Sequence, residues 1–138
     1  MLLAPIIFAV TAALVASCNV KKVDAKSLNG SWTIVSVDSK AIDLEEMPFI
    51  EFNMETKRVH GNGSCNIFNT TVTLSEKNAA ELTIAPAAAT MMACLNMDVE
   101  GQIFKAMGEV SSVKSGDKAD EMVLLSKDGK VLMTLKKK

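Results

Sequence analysis

Arg58-Val59-His60-Gly61-Asn62-Gly63-Ser64-Cys65-Asn66-Ile67-Phe68 is the stretch from which the fold can be read. Three turn-forming residues, Gly61, Asn62 and Gly63, stand together just before a cysteine and an asparagine. Extended runs flank them on both sides, as in two strands joined by a tight connection. Gly61 and Gly63 permit positive φ or close backbone approach, so a bulge or tight turn is expected. Asn66 is read as hydrogen-bonding backbone groups across that turn, a structural role. A second cysteine follows in Thr90-Met91-Met92-Ala93-Cys94. These two segments are expected to meet and pin a small β-rich domain.

Working outward, short alternating runs recur. Ser31–Val37 reads as a strand with Trp32 and Ile34 on one face and Val35 and Val37 on the other. Asp38-Ser39-Lys40 is a turn, and residues 41–48 are a loop. Phe49–Asn53 is a strand with Ile50 and Phe52 facing together, and Glu55-Thr56-Lys57 connects it to Arg58. Thr71, Thr73 and Ser75 alternate with Val72 and Leu74, a half-buried strand. Leu82 and Ile84 share a face in Glu81–Ala85, which Pro86 ends. Thr90–Cys94 is an irregular crossing segment, with Met91 and Met92 as packing residues. One helix follows, capped by Asn96 or Asp98, with Glu100 in its first turn. Val99, Ile103, Ala106, Met107 and Val110 form its apolar stripe, extended by Phe104. Ser111–Lys114 resumes as a strand. Met122–Ser126 pairs with Val131–Leu135 across Lys127-Asp128-Gly129-Lys130, the strongest hairpin signal in the chain. The fold class is therefore α+β: mostly antiparallel short strands in a curled sheet or partial barrel, packed with one amphipathic helix.

Composition narrows the function. The chain has 138 residues, 15 basic against 16 acidic, so neither nucleic acid nor an acidic substrate is favoured as a partner. Aromatics are few, with one Trp, five Phe and no Tyr, and nine Met supply flexible packing instead. Lys136-Lys137-Lys138 is the one basic run and reads as a solvated tail.

The first residues read as an address. Residues 2–17 are uncharged and mostly apolar, too short to span a bilayer comfortably but suited to a secretory leader. Leu14-Val15-Ala16-Ser17-Cys18 resembles the bacterial lipobox, in which the cysteine thiol carries a diacylglycerol. No Lys or Arg precedes the apolar run, which departs from the usual leader. The reading is a signal peptide at 1–17, a lipidated tether at 18–27 and a domain at 28–135. Several acyl chains at Cys18 would anchor it stably to a membrane. Asn19, in place of Asp after the cysteine, favours the outer membrane, facing the periplasm or the cell surface.

With Cys18 assigned to lipid, Cys65 and Cys94 remain as a pair that an exported protein can oxidise. Closing a loop of about 30 residues stabilises by about 3.5 kcal/mol in the chain-entropy model. The alternative is two buried free thiols.

The ordered set of Leu28-Asn29-Gly30-Ser31-Trp32, Phe52, Arg58-Val59-His60-Gly61, Cys65-Asn66, Thr90-Met91-Met92-Ala93-Cys94, Glu100, Phe104 and the Asp128-Gly129 hairpin resembles the META domain family, also called HslJ-like. The resemblance covers roughly residues 28–135. Ser64 and Thr70 stand where the family often has Gly, and Val72 where it often has an aromatic. The resemblance implies a compact β-rich domain on exported bacterial envelope proteins, often lipoproteins, some linked to stress responses. It implies no catalytic activity, and it makes the Cys-Asn and Met-Xaa-Ala-Cys positions structural.

Other chemistries are weakly supported. His60, Cys65 and Cys94 lack the Cys-Xaa-Xaa-Cys pair or second His of a zinc site. His60 as a base for Cys65 lacks an orienting third group. Asp43, Glu45 and Glu46 read as a solvated loop. Asn29, Asn62 and Asn69 match N-glycosylation spacing, a coincidence in a bacterial host. The expectation is a non-enzymatic, monomeric, lipid-anchored envelope protein without cofactor, binding an unidentified envelope protein or supporting stress tolerance. A lipocalin-like carrier of a small apolar ligand is the alternative.

Overall fold

A computed structural model describes residues 23–95 and 97–138. The leader, Cys18, Asn19 and the Asn96 cap therefore lie outside the described residues. Among those described, the chain forms β1 (Gly30–Val37), β2 (Lys40–Ala41), β3 (Phe49–Asn53), β4 (Arg58–Asn62) and β5 (Ile67–Leu74). Then come β6 (Leu82–Ile84), β7 (Ala88–Ala89), helix α1 (Met97–Glu109), β8 (Ser112–Ser115), β9 (Glu121–Leu125) and β10 (Val131–Lys137).

Every pairing is antiparallel, and the sheet runs β6-β5-β4-β3-β1-β10-β9-β8, with β2 beside β1 and β7 beside β5. Its two ends approach each other: Glu81 bridges Ser112, Leu82 N donates to Ser111 O at 3.1 Å, and Val113 N donates to Ala80 O at 3.0 Å. The sheet is thus a nearly closed barrel with one helix, the architecture expected from the alternating runs. Closure satisfies edge groups that would otherwise invite foreign strands.

Inward positions follow the two-residue period. Ile50 and Phe52 of β3, Phe68 and Val72 of β5, and Leu82 and Ile84 of β6 are buried together. β1 breaks the period. Its register against β10 slips between Ile34 and Ser36, a bulge at Val35. The extra residue returns Val37 to the face of Trp32 and Ile34, so Val37 belongs to the core rather than to a second face with Val35. Asp38 and Ser39 both take positive φ, 49° and 63°, the primed turn that suits a two-residue hairpin into β2. The Asp128-Gly129 hairpin forms as read, with Gly129 at φ 80°.

Both edges of the domain differ from the reading. Ala25–Leu28 is a single 3-10 turn whose Ala25 and Leu28 are buried, so residues 25–27 belong to the fold and not to the tether. Asp24 caps it, Trp32 Nε1 donates to Leu28 O at 2.7 Å, and Ala25 N donates to Ala79 O at 2.7 Å. At the other end, the lysine run is no free tail. Lys136 and Lys137 lie within β10, and the Lys138 ammonium sits 4.2 Å from the Phe49 ring centre. Strand pairing with β1 outweighs the solvation of three lysines because their ammonium groups still reach water.

The barrel has two poles. One carries the 3-10 turn, the β3–β4 turn and the β5–β6 turn, tied by Asn29 Oδ1 accepting from Met54 N at 2.9 Å. The other carries the β4–β5 connection, segment 90–95 and the first turn of α1. The eight residues of β5 separate them, about 25 Å at strand rise.

Candidate functional site

The second pole is built on Asn66, which is 2 % exposed. Its side-chain Oδ1 accepts from Thr90 Oγ1 at 2.8 Å and from Met92 N at 2.7 Å. Its Nδ2 donates to Met92 O at 3.0 Å and to Glu100 Oε2 at 2.7 Å. Both amide ends are therefore saturated. The Asn66 backbone N–H donates to Glu100 Oε1 at 2.6 Å, and its carbonyl accepts from Gly63 N at 3.0 Å. One side chain thus bonds backbone groups of the crossing segment and a carboxylate of α1.

Glu100 stands in the first turn of the helix as expected, and it is buried there. It is 1 % exposed and shares the buried face of α1 with Ile103, Ala106 and Met107. Burying a carboxylate is costly unless its oxygens find donors, and Asn66 supplies one to each oxygen. The signal lay in spacing: Glu100 stands three, four and seven positions before Ile103, Phe104 and Met107, on the apolar stripe itself. Asp98, read as a possible cap, lies within the helix and is exposed.

The glycines act by close approach, not by positive φ. A Cβ on Gly63 would lie 2.6 Å from Glu100 Cγ and 2.8 Å from Oε1. A Cβ on Gly61 would overlap the Phe49 carbonyl and the Phe68 ring. The left-handed backbone falls instead on Ser64, at φ 89°. Beside it, a disulfide joins Cys65 and Cys94 with their Cα atoms 6.0 Å apart. The β4–β5 connection is therefore fastened to the crossing segment twice, covalently through Cys65 and by hydrogen bonds through Asn66.

What this fastening presents is an apolar ridge. Met91 is 96 % exposed, Met92 58 %, Leu95 101 % and Met97 41 %, with Ile67 alongside at 47 %. Met91 and Met92 were expected to pack inward; the backbone bonds of Met92 to Asn66 leave both side chains in solvent. A groove of about 470 Å³ adjoins the ridge, lined by Ala87, Ala89, Met91, Met92, Gly101 and Phe104 among others. Beside the disulfide, Glu45, Glu46, Ser64 and Cys94 line a second hollow.

The remaining candidates stay apart. His60 is on the outer face of β4, its Nδ1 3.0 Å from Asn69 Oδ1. Cys65 lies beyond that strand's end and is paired. Asp43, Glu45 and Glu46 are exposed on the loop before β3. Among the described residues, no three His, Cys, Asp or Glu side chains gather where they could hold a metal ion.

Comparison with known proteins agrees with this geometry. A profile described as "META domain" matches residues 25–138. An NMR structure of a protein from Burkholderia xenovorans is similar, with TM-score 0.62 at 18 % identity over 82 % of this chain and 85 % of that one. A second NMR structure gives 0.56 at 23 % identity, covering 79 % and 89 %. A crystal structure of a DUF4847 family protein from Bacteroides vulgatus gives 0.55 at 9 % identity, covering 82 % and 96 %. At such identities the likeness is one of fold. No curated protein matches the sequence.

Proposed function

The chain belongs to the META domain family, and from that premise we propose a non-enzymatic binding module, lipid-anchored through Cys18 at the cell envelope. It engages an envelope partner through the ridge formed by Met91, Met92, Leu95 and Met97, in a role that supports envelope stress tolerance.

The exposure of that ridge carries the reading. Large apolar side chains gathered at one pole are costly to hydrate, and such patches mark interaction surfaces. Methionine suits a surface that must adapt to a partner. The disulfide and the Asn66–Glu100 network hold the backbone beneath the ridge, which lowers the ordering cost of binding. The lipobox supports the anchor. No helix of the described residues is long and apolar enough to cross a membrane.

The carrier alternative has less support. Ile34, Ile50, Phe68, Leu82, Leu132 and Leu135 fill the barrel with no measurable exposure to about 1 %. The grooves described above open to solvent rather than into that interior.

The test is a photoreactive residue placed at Met91 or, as a control, at exposed Thr73, in the full chain in its native envelope. A discrete adduct from position 91 alone supports the reading; no adduct, or equal adducts, argues against it. Intact mass of the membrane-purified chain tests the anchor: a mature protein beginning at acylated Cys18 is expected.

A further inference from the structure

β7 leaves one edge open beside the ridge. Thr90 N donates to Ile67 O at 3.0 Å, and Ala88 is in register with Asn69, so these residues turn their polar groups towards β5. Alternation then turns the N–H and C=O of Ala89 outward. Among the described residues β7 pairs only with β5. Here the barrel is unclosed: β6 meets β8 near Glu81, while the β7 edge faces α1 across a groove. That groove continues from the 470 Å³ hollow into a second of about 340 Å³, both sharing Ala87, Ala89 and Phe104. Gly101 and Gly108 line its helix side, and a Cβ on either would meet nothing within 4 Å.

Charge is one-sided at this pole. Segments 41–50 and 88–104 contain no Lys or Arg, yet they hold Asp43, Glu45, Glu46 and Asp98, all exposed. Glu45 and Glu46 line the hollow against Cys94.

We propose that the groove between β7 and α1 takes an extended polypeptide segment. It is apolar at alternate positions, flanked by Lys or Arg, and adds as a strand to the outward edge at Ala89. This rests on the binding-module reading and names its partner class. Backbone bonds supply register, the groove between Phe104 and Met92 takes every second side chain, and the exposed acids of the same pole select basic flanks.

The test uses the full chain in detergent micelles with methyl-labelled methionine. The probe is a synthetic peptide of alternating valine and threonine with a lysine at each end. Saturable shifts of the Met91, Met92 and Met97 methyls, with slowed exchange of the Ala89 N–H, are expected. Gly101→Leu fills the groove on a good helix former and should abolish the shifts. Ala89→Pro removes one outward N–H and should weaken binding about tenfold. Glu45→Gln with Glu46→Gln should weaken it several-fold and flatten its salt dependence. Methyl shifts without Ala89 protection, undiminished in Ala89→Pro, would overturn strand addition and leave the binding face standing. Shifts that follow protein concentration alone would identify a second copy as occupant and overturn the proposal. Methyls that respond to no peptide, and to no native-envelope extract, would overturn both readings.

Discussion

The carboxylate of Glu100 binds the backbone N–H and the side-chain amide of the same residue, Asn66, which lies 34 positions earlier in the chain. That pair ties the first turn of α1 to the β4–β5 connection, and through Met92 it sets the backbone of the exposed ridge. The two residues should behave as one unit. Glu100→Ala and Asn66→Ala should each cost about 3 kcal/mol, because the first leaves the buried Asn66 backbone N–H without its acceptor and the second leaves Glu100 Oε2 without its donor. The double variant should cost well under the sum. Urea unfolding of all four proteins checks this, and strict additivity would show that the two residues act independently.

Glycine position should separate packing from propensity. Gly61→Ala and Gly63→Ala force a methyl into Phe49, Phe68 or Glu100 and should destabilise by about 2 kcal/mol or more. Gly108→Ala adds a methyl to open space on a helix and should stabilise by about 0.5 to 1 kcal/mol. Thermal melting reads both signs.

Ser64 carries a backbone conformation that favours glycine. Ser64→Gly should stabilise by about 0.5 kcal/mol, the relief of strain exceeding the added freedom of the unfolded chain. A fall in the denaturant midpoint would mean that the serine side chain contributes more than its backbone costs.

Reduction of the Cys65–Cys94 bond should lower stability by about 3.5 kcal/mol, since a long loop is freed in the unfolded state. Asn66, Thr90 and Glu100 hold the same junction without sulfur, so the reduced protein should still fold. Alkylation of two thiols only after reductant, with native-like far-ultraviolet dichroism retained, is the expected result.

Much of the barrel was legible because its signals are local. Asp128-Gly129 specifies a hairpin within five residues, and the alternations in Phe49–Asn53 and Leu82–Ile84 need no distant partner. What escaped depends on contacts between remote segments. The bulge at Val35 is set by the register of β10, and nothing within Trp32–Val37 announces it. The pairing of Glu100 with Asn66 escaped because that partner is contributed by a turn far upstream. Met91 and Met92 looked like core because methionine usually packs, whereas Asn66 commits their backbone and leaves the side chains outside. The lysine run looked like a tail until β1 supplied an edge for it. Cys65, Asn66 and the two glycines were found from sequence as a junction; the acid that Asn66 binds was found only in three dimensions.

The most direct measurement is methionine oxidation by dilute peroxide, read by mass spectrometry on the full chain in intact envelopes and on the same chain purified. Met107 and Met133, at 3 % and 0 % exposure, should stay reduced in both and serve as internal references. Met91 and Met92 should oxidise quickly in the purified protein and several-fold more slowly in the envelope, where a partner covers them. Equal rates in both settings would contradict a ridge that is occupied where the protein works.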